Sequence, residues 1–164
     1  MSSAVKVLAF DFGASSGRAI LATYDNGSLS YEEVHRFENT PHEVDGRLCW
    51  DFSMLMAEVR TGVEKAGTFD SIGFDTWGVD FGLLDENGKL LSDPVHYRDS
   101  RTQGMIDKAL QTMDAATLYG RTGTQILYFN TLFQLMALKE QQPELLDKVK
   151  TLLFMPDLFA YSLS

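Results

Sequence analysis

Short apolar runs separated by turn-forming residues mark the first part of the chain. Residues 5–10 are apolar except for one lysine, which is typical of a buried strand. A second apolar run covers residues 19–24, and the sequence Asp25-Asn26-Gly27 that follows it is a strong hairpin signal. Residues 28–37 would then return as a third strand. The pattern therefore predicts that three antiparallel strands open the domain.

A helical period replaces the strand pattern after Asp51, which is suited to cap a helix. The apolar positions that follow fall on one helix face: Phe52, Leu55, Met56, Val59, Val63 and Ala66. Gly67 is a natural end for this helix. The next apolar run, within residues 71–80, contains Asp75. Because a helix between two strands usually forms a crossover, we expect this strand to lie parallel to the first.

The rest of the chain alternates short helices with strands and turns. We predict irregular structure at residues 38–50 and 94–101, a hairpin from residues 81–84 and 89–91, helices near residues 102–113, 114–119, 132–138 and 143–149, a strand at residues 151–155 and a helix at residues 157–163. The last pattern stops at Ser164 without a cap, which suggests a fragment. Carboxylates at strand ends in this element order are typical of an α/β domain of the ribonuclease H-like, actin-like ATPase class. Its central sheet would be mixed, with three antiparallel N-terminal strands followed by βα units.

Composition narrows the class of protein and of partner. The 164 residues are 45% hydrophobic and 23% charged, as in one soluble globular domain. The net charge of −9 argues against a nucleic-acid partner, which would require a basic face. A membrane partner is not expected, because apolar runs fall short of the roughly 20 residues that a membrane helix needs. Cys49 is the single cysteine, so an intramolecular disulfide is excluded, and we expect a cytoplasmic protein.

The turn after the first strand carries the strongest candidate chemistry. Glycines at its two ends would permit positive φ and close approach, so that backbone N–H groups point into one concavity. Hydroxyl and guanidinium donors suit phosphate oxygens, and a carboxylate beside a phosphate would need a cation such as Mg²⁺. The residues concerned are Asp11, Gly13, Ser15, Ser16, Gly17 and Arg18. The turn is thus interpreted as a phosphate loop for a metal-bound nucleotide, against the alternative of an aspartate that only stabilises a hairpin.

Two further polar segments each allow a structural and a functional interpretation. Residues 75–80 could be a strand end with a core tryptophan, or a wall for a polyhydroxylated substrate. Residues 98–101 could be a solvated loop with weak ion pairs, or could provide polar contacts to a sugar. The histidines, His35, His42 and His96, lack ligand spacing, so we expect them in the core or at the surface. Cys49 is expected to be buried and inert.

Residues 11–18, Asp-Phe-Gly-Ala-Ser-Ser-Gly-Arg, resemble the first phosphate motif of the FGGY carbohydrate kinases. Residues 70–81, 94–102 and 129–135 agree with the same family. The resemblance implies ATP-dependent phosphorylation of L-rhamnulose at its 1-hydroxyl, with ATP and Mg²⁺ as cofactors. It implies that the ATP phosphates contact Ala14, Ser15, Ser16, Gly17 and Arg18, that Asp11 holds Mg²⁺, and that the sugar lies near Gly78, Trp77 and Asp80.

The resemblance also implies a division of the site between two domains. Residues 1–164 would be the N-terminal domain, and the C-terminal domain that carries the catalytic base and the adenine pocket would be missing. We therefore expect no catalytic residue in this chain and little or no kinase activity from it alone. Three alternatives stay open: a kinase of another ketose or polyol, a ribonuclease H-like nuclease with metals on Asp11 and Asp75, and a non-catalytic ligand-binding module.

Overall fold

A four-stranded mixed sheet forms the centre of the computed structural model, which describes residues 4–164. Strands β1 (Val5–Phe12), β2 (Ser16–Asp25) and β3 (Ser28–Glu38) are antiparallel neighbours, as predicted. The fourth strand of this sheet, Ser71–Asp75, pairs in parallel with β1, which confirms the predicted crossover. The resulting spatial order places β1 between β2 and the parallel strand. The predicted fold class is confirmed.

Helix α1 (Phe52–Ala66) makes the crossover. The Asp51 side chain accepts a hydrogen bond from the backbone N–H of Met54 at 2.9 Å, so it caps the helix as predicted. Gly67 ends the helix with a φ of 69°, a conformation that favours glycine. The buried face of α1, which includes Leu55 and Val59, contributes to the main core under the sheet.

The segment predicted to be irregular contains a small hairpin instead. Strands β4 (His42–Val44) and β5 (Arg47–Cys49) pair antiparallel, and the strand Ser71–Asp75 is therefore β6. Two consecutive residues with positive φ, Asp45 at 49° and Gly46 at 74°, turn the chain between them. The sequence interpretation was wrong here because Gly46 was taken as a breaker, whereas Asp45-Gly46 forms the two-residue turn with two positive φ angles that favours a hairpin.

The chain forms a second two-stranded sheet in addition to the β4–β5 hairpin. Strand β7 (Phe81–Leu84) pairs antiparallel with β8 (Thr151–Phe154), so the predicted last strand exists but joins β7 rather than the central sheet. The predicted hairpin partner at residues 89–91 forms only one isolated bridge, between Leu84 and Leu90. Asp85 draws the chain into a tight turn, because its side chain accepts hydrogen bonds from two backbone N–H groups of the following residues.

The remaining helices cover the second half of the chain. They are α2 (Met105–Thr112), α3 (Ala115–Thr122), α4 (Thr131–Gln141), α5 (Pro143–Leu146) and α6 (Met155–Leu163), with a single 3₁₀ turn at Ser100–Thr102. Helix α6 contributes Phe159, whose ring stacks on Phe12 at a centroid distance of 4.3 Å. Within residues 4–164, none of these helices is long and apolar enough to cross a membrane.

Candidate functional site

Two carboxylates meet where β1 and β6 end. Asp11 and Asp75 are register partners in the parallel pair, so both emerge at the same edge of the sheet. Asp11 is also opposite Arg18 of β2, and the Asp11 Oδ2 atom lies 3.5 Å from the Arg18 Nη1 atom. Both side chains of this ion pair are partly exposed, which leaves them accessible to a ligand.

The loop between β1 and β2 is a tight three-residue connection at the same edge. Ala14 and Ser15 are exposed, and the Gly13 N–H donates to the Ser16 carbonyl at 2.9 Å. Neither Gly13 nor Gly17 has a positive φ, so that part of the sequence interpretation was wrong. The hairpin closes with ordinary backbone angles at both glycines.

Close packing is what Gly17 provides. A Cβ atom at this position would lie 2.5 Å from the Cε2 atom of Phe37 and closer still to its Cζ atom. Phe37 is a buried residue of β3 and makes an edge contact with Phe12. Glycine at this point of the loop therefore leaves room for a core ring where a side chain would otherwise stand.

Two side chains hold the loop from inside. The Gly13 carbonyl accepts hydrogen bonds from Asn39 Nδ2 at 2.8 Å and from Trp77 Nε1 at 3.1 Å. The Asn39 backbone N–H also donates to the Ser15 carbonyl at 3.1 Å. Sequence analysis missed Asn39. Its position two residues after the third predicted strand, which returns alongside the loop, was the available signal.

The strand-end cluster after β6 is partly core and partly surface. Trp77 is 9% exposed and stacks on Trp50 with ring centroids 3.7 Å apart. Gly78 is exposed, and a Cβ atom there would meet nothing within 4 Å. It borders a cavity of about 290 Å³ that is also lined by Val79, Leu118, Thr131 and Phe133. Of this cluster, Gly78 is thus the residue with open space beside it.

Asp80 belongs to a buried polar network. Its carboxylate is fully buried and accepts hydrogen bonds from Trp50 Nε1 at 2.7 Å, from Gln134 Nε2 at 3.0 Å and from the Tyr97 N–H at 3.1 Å. Burial raises the pKa of Asp80, although these hydrogen bonds favour its ionised form. Gln134 in turn accepts from Arg101 Nη2 at 2.6 Å. The side chain of Asp80 therefore stabilises the strand end from behind.

The segment at residues 98–101 divides between surface and core. Arg98 is exposed, but Asp99 and Arg101 are buried, so neither a solvated loop nor a sugar wall describes the whole segment. Asp99 accepts hydrogen bonds from the backbone N–H groups of Leu48 and Arg101. These contacts fix the segment against β5.

His96 and Cys49 both lie in the core, in line with the expectation of a core or surface position for the histidine and a buried cysteine. His96 is buried between Trp50 and Tyr97, and burial lowers its pKa to about 4. Its Nδ1 atom accepts from the Arg98 N–H, which identifies the neutral tautomer protonated on Nε2. Cys49 is buried, and burial raises the pKa of its thiol. These groups are not poised for metal binding or nucleophilic chemistry.

The donor set at the sheet edge fits magnesium bound together with a phosphate ligand. Among residues 4–164, no group of three or more His, Cys, Asp or Glu side chains is arranged to hold an ion. Asp11 and Asp75 supply two neighbouring carboxylates. Magnesium in nucleotide sites typically takes one or two carboxylates and completes its octahedron with phosphate oxygens and water. The edge suits that mode better than a metal cage made by protein alone.

Comparison with known proteins connects this geometry to a family. The model of the FGGY family of carbohydrate kinases, N-terminal domain, matches residues 6–164. Curated proteins named Rhamnulokinase are similar: one from Klebsiella pneumoniae (strain 342) is 48% identical over 163 residues, and one from Enterobacter sp. (strain 638) is 49% identical over the same length. Each alignment covers 96% of this chain and 33% of the relative, so the chain spans about a third of the length of these relatives.

Solved structures share the fold at low sequence identity. A gluconate kinase from Lactobacillus acidophilus matches with a TM-score of 0.80 at 15% identity, over 97% of this chain and 33% of that protein. A xylulose kinase from Rhodospirillum rubrum matches with a TM-score of 0.78 at 18% identity, over 94% of this chain and 33% of that protein. At this level of identity the likeness concerns the fold alone.

Proposed function

This chain belongs to the FGGY family of carbohydrate kinases, and on that premise we propose that it is the N-terminal domain of an ATP-dependent L-rhamnulose kinase. The product would be L-rhamnulose 1-phosphate. The observation that carries the proposal is the shared sheet edge, where Asp11, Asp75 and Arg18 surround a short exposed loop. The choice of ketose is supported by the name Rhamnulokinase of relatives that are 48% and 49% identical to this chain.

On the phosphate side, the proposed contacts of the ATP phosphates are Ala14, Ser15, Ser16, Gly17 and Arg18. Arg18 would exchange its ion pair with Asp11 for a bond to a phosphate oxygen, because a charge-assisted hydrogen bond to phosphate is stronger than a half-exposed ion pair. Asp11 would then hold Mg²⁺, which removes the repulsion between carboxylate and phosphate. Phosphoryl transfer depends on this positioning and charge neutralisation.

On the sugar side, Gly78 would lie against the ketose, because it is exposed beside a cavity. Trp77 and Asp80 are its proposed neighbours. Asp80 is fully buried, so its proposed part is to hold the strand end on which Gly78 is placed. Trp77 would close the region between the sugar and the loop, since its indole reaches the Gly13 carbonyl.

The proton of the attacking hydroxyl needs an acceptor that we assign to the second domain of the family. Among the residues described, we assign no side chain at the sheet edge as the base, because Asp11 and Asp75 are the carboxylates placed beside the proposed metal and Asp80 is buried. We therefore propose that the 164-residue chain alone is inactive. We also propose that the complete enzyme acts in the cytoplasm, because the chain has a single cysteine and no apolar run long enough for a membrane helix.

A chimera tests the activity directly. Residues 1–164 would be joined to the remaining two thirds of the Klebsiella pneumoniae relative, and ADP release would be followed with L-rhamnulose, xylulose, gluconate and glycerol. We expect kcat/KM for L-rhamnulose to exceed the others by at least tenfold, because pockets that bind individual hydroxyls discriminate strongly. Equal or better turnover of another substrate would refute the assignment of the ketose.

The same preparation separates the competing functions. The 164-residue chain should show no turnover, and kinase activity equal to that of the chimera would refute the proposed division of the site. Cleavage of DNA or RNA by the chain with Mg²⁺ or Mn²⁺ would favour the nuclease alternative, which uses Asp11 and Asp75 together. Asp11→Asn should abolish kinase activity of the chimera, whereas the nuclease alternative predicts that Asp11→Asn and Asp75→Asn each abolish cleavage of nucleic acid by the 164-residue chain.

A further inference from the structure

We propose that Asn39 and Trp77 are positioning residues that orient the phosphate loop through the Gly13 carbonyl. The inference rests on the proposed function, because it assigns the loop to phosphate binding. Asn39 and Trp77 come from different parts of the sheet: Asn39 follows β3, and Trp77 follows β6. Their side chains converge on one backbone oxygen. We name this arrangement the Gly13 clamp.

The clamp fixes the direction of the loop's backbone donors. A trans peptide is planar, so the carbonyl of one residue and the N–H of the next point in opposite directions. The Gly13 carbonyl points inward to Asn39 and Trp77, and cis peptides are absent from residues 4–164, so the Ala14 N–H points away from both side chains. The Ser15 carbonyl points to the Asn39 N–H in the same way, which turns the Ser16 N–H away from Asn39. Two proposed phosphate donors are thereby oriented before any ligand binds.

Both members of the clamp are themselves held rigidly. Asn39 is 1% exposed, so its side chain has little freedom to leave the Gly13 carbonyl. The Trp77 ring stacks on the Trp50 ring, a contact that does not depend on the Trp50 N–H. Trp77 is also the residue directly before Gly78, so the clamp links the proposed sugar side to the phosphate side.

The alternative is that Trp77 and Asn39 merely fill the core. Trp77→Phe separates the two, because phenylalanine keeps a stacked ring and removes the indole donor. Asn39→Ala removes the second donor. Trp50→Phe is the matched control: it also removes one indole hydrogen bond from the same stack, but that bond goes to Asp80 and not to the loop.

Amide hydrogen exchange reports on the clamp without any nucleotide. The Gly13 amide is hydrogen-bonded across the loop, and the Leu55 amide in α1 is a remote reference. We expect Trp77→Phe and Asn39→Ala each to speed exchange at Gly13 by about tenfold relative to Leu55, the effect of one lost hydrogen bond. Trp50→Phe should leave that ratio unchanged. An unchanged ratio in both clamp variants, or an equal rise in Trp50→Phe, would overturn the inference.

Titration of the chimera with Mg·ADP, followed by isothermal titration calorimetry, tests whether the ordered loop serves phosphate binding. We expect Trp77→Phe to weaken the affinity by about tenfold and Trp50→Phe to leave it within twofold. A loop that loosens without any loss of Mg·ADP affinity would refute the positioning role and leave the proposed function standing. Absence of Mg·ADP binding by the chimera without these substitutions would instead count against the proposed function, while the exchange experiment still decides whether the clamp orders the loop.

Discussion

Gly17→Ala tests whether the glycine in the loop serves packing or ligand approach. The added Cβ would lie 2.5 Å from Phe37 Cε2 and closer to Cζ, well inside ordinary carbon contact distances. Gly17 has no positive φ, so alanine meets no backbone penalty there. The whole cost of the substitution should therefore come from the collision with one ring.

The magnitude follows from how far that ring must move. To restore normal contact, Phe37 has to retreat by roughly 1 Å or more from the new methyl group. Its ring packs edge-on against Phe12 in a core that leaves little room for such a shift. Overpacking of this kind costs typically ~1–3 kcal/mol, so we expect Gly17→Ala to lower the free energy of unfolding by about 2 kcal/mol.

Two further variants make the reasoning refutable by urea unfolding. Gly73→Ala is the matched control in β6, because a Cβ atom there meets nothing within 4 Å. It should be neutral or stabilise the protein by up to ~1 kcal/mol. Phe37→Leu lacks the Cε and Cζ atoms that collide, so Gly17→Ala should cost at least ~1 kcal/mol less in that background. Equal costs for Gly17→Ala in both backgrounds would refute the packing argument.

Three other substitutions should have distinct signatures in unfolding experiments. Asp51→Ala removes the cap of α1 and should lower the free energy of unfolding by ~1 kcal/mol, measured in urea at pH 7; no loss would contradict the capping role. Burial lowers the pKa of His96 from 6.5 to about 4. Between pH 6.5 and pH 4, the His96 side chain is therefore protonated in the unfolded chain but neutral in the folded chain. Wild type should therefore lose about 3 kcal/mol relative to His96→Phe as the pH falls from 7 to 4, and parallel pH profiles would contradict this. Asp11→Asn should change the free energy of unfolding by less than ~1 kcal/mol, because its ion pair with Arg18 is partly exposed; a larger loss would show a structural role for Asp11.

Local sequence patterns were sufficient to predict the central sheet and its crossover. The hairpin at residues 25–27 and the cap at Asp51 are signals contained in a few neighbouring residues, and the structure confirms both. Strand pairing between distant segments carries no such local signal. The sequence therefore revealed the strand at residues 151–154 but not its partner, because pairing with β7 depends on how the intervening helices pack.

The burial of polar residues was the main feature that the sequence pattern did not predict. Asp80, Asp99 and Arg101 carry charges that usually lie at a surface, and the sequence reading placed them near solvent or substrate. The structure buries all three, because each finds hydrogen-bond partners on segments far along the chain. Composition and spacing do not reveal such partners, so a buried polar network and an open polar site look the same in one sequence.

Trp77 is the residue whose position was predicted from the sequence but whose contacts were not. The resemblance to the family marked it as a neighbour of the sugar, and the structure brings it to the sheet edge beside Gly78. Its indole nonetheless donates to the Gly13 carbonyl and its ring lies on Trp50, so its accessible surface is only 9%. A strand end dictates where the backbone emerges, but side-chain direction is decided by the nearest acceptor and the nearest ring. The phosphate loop and the sugar side are consequently joined by this one residue, and loss of its N–H should loosen the loop while leaving the stack intact.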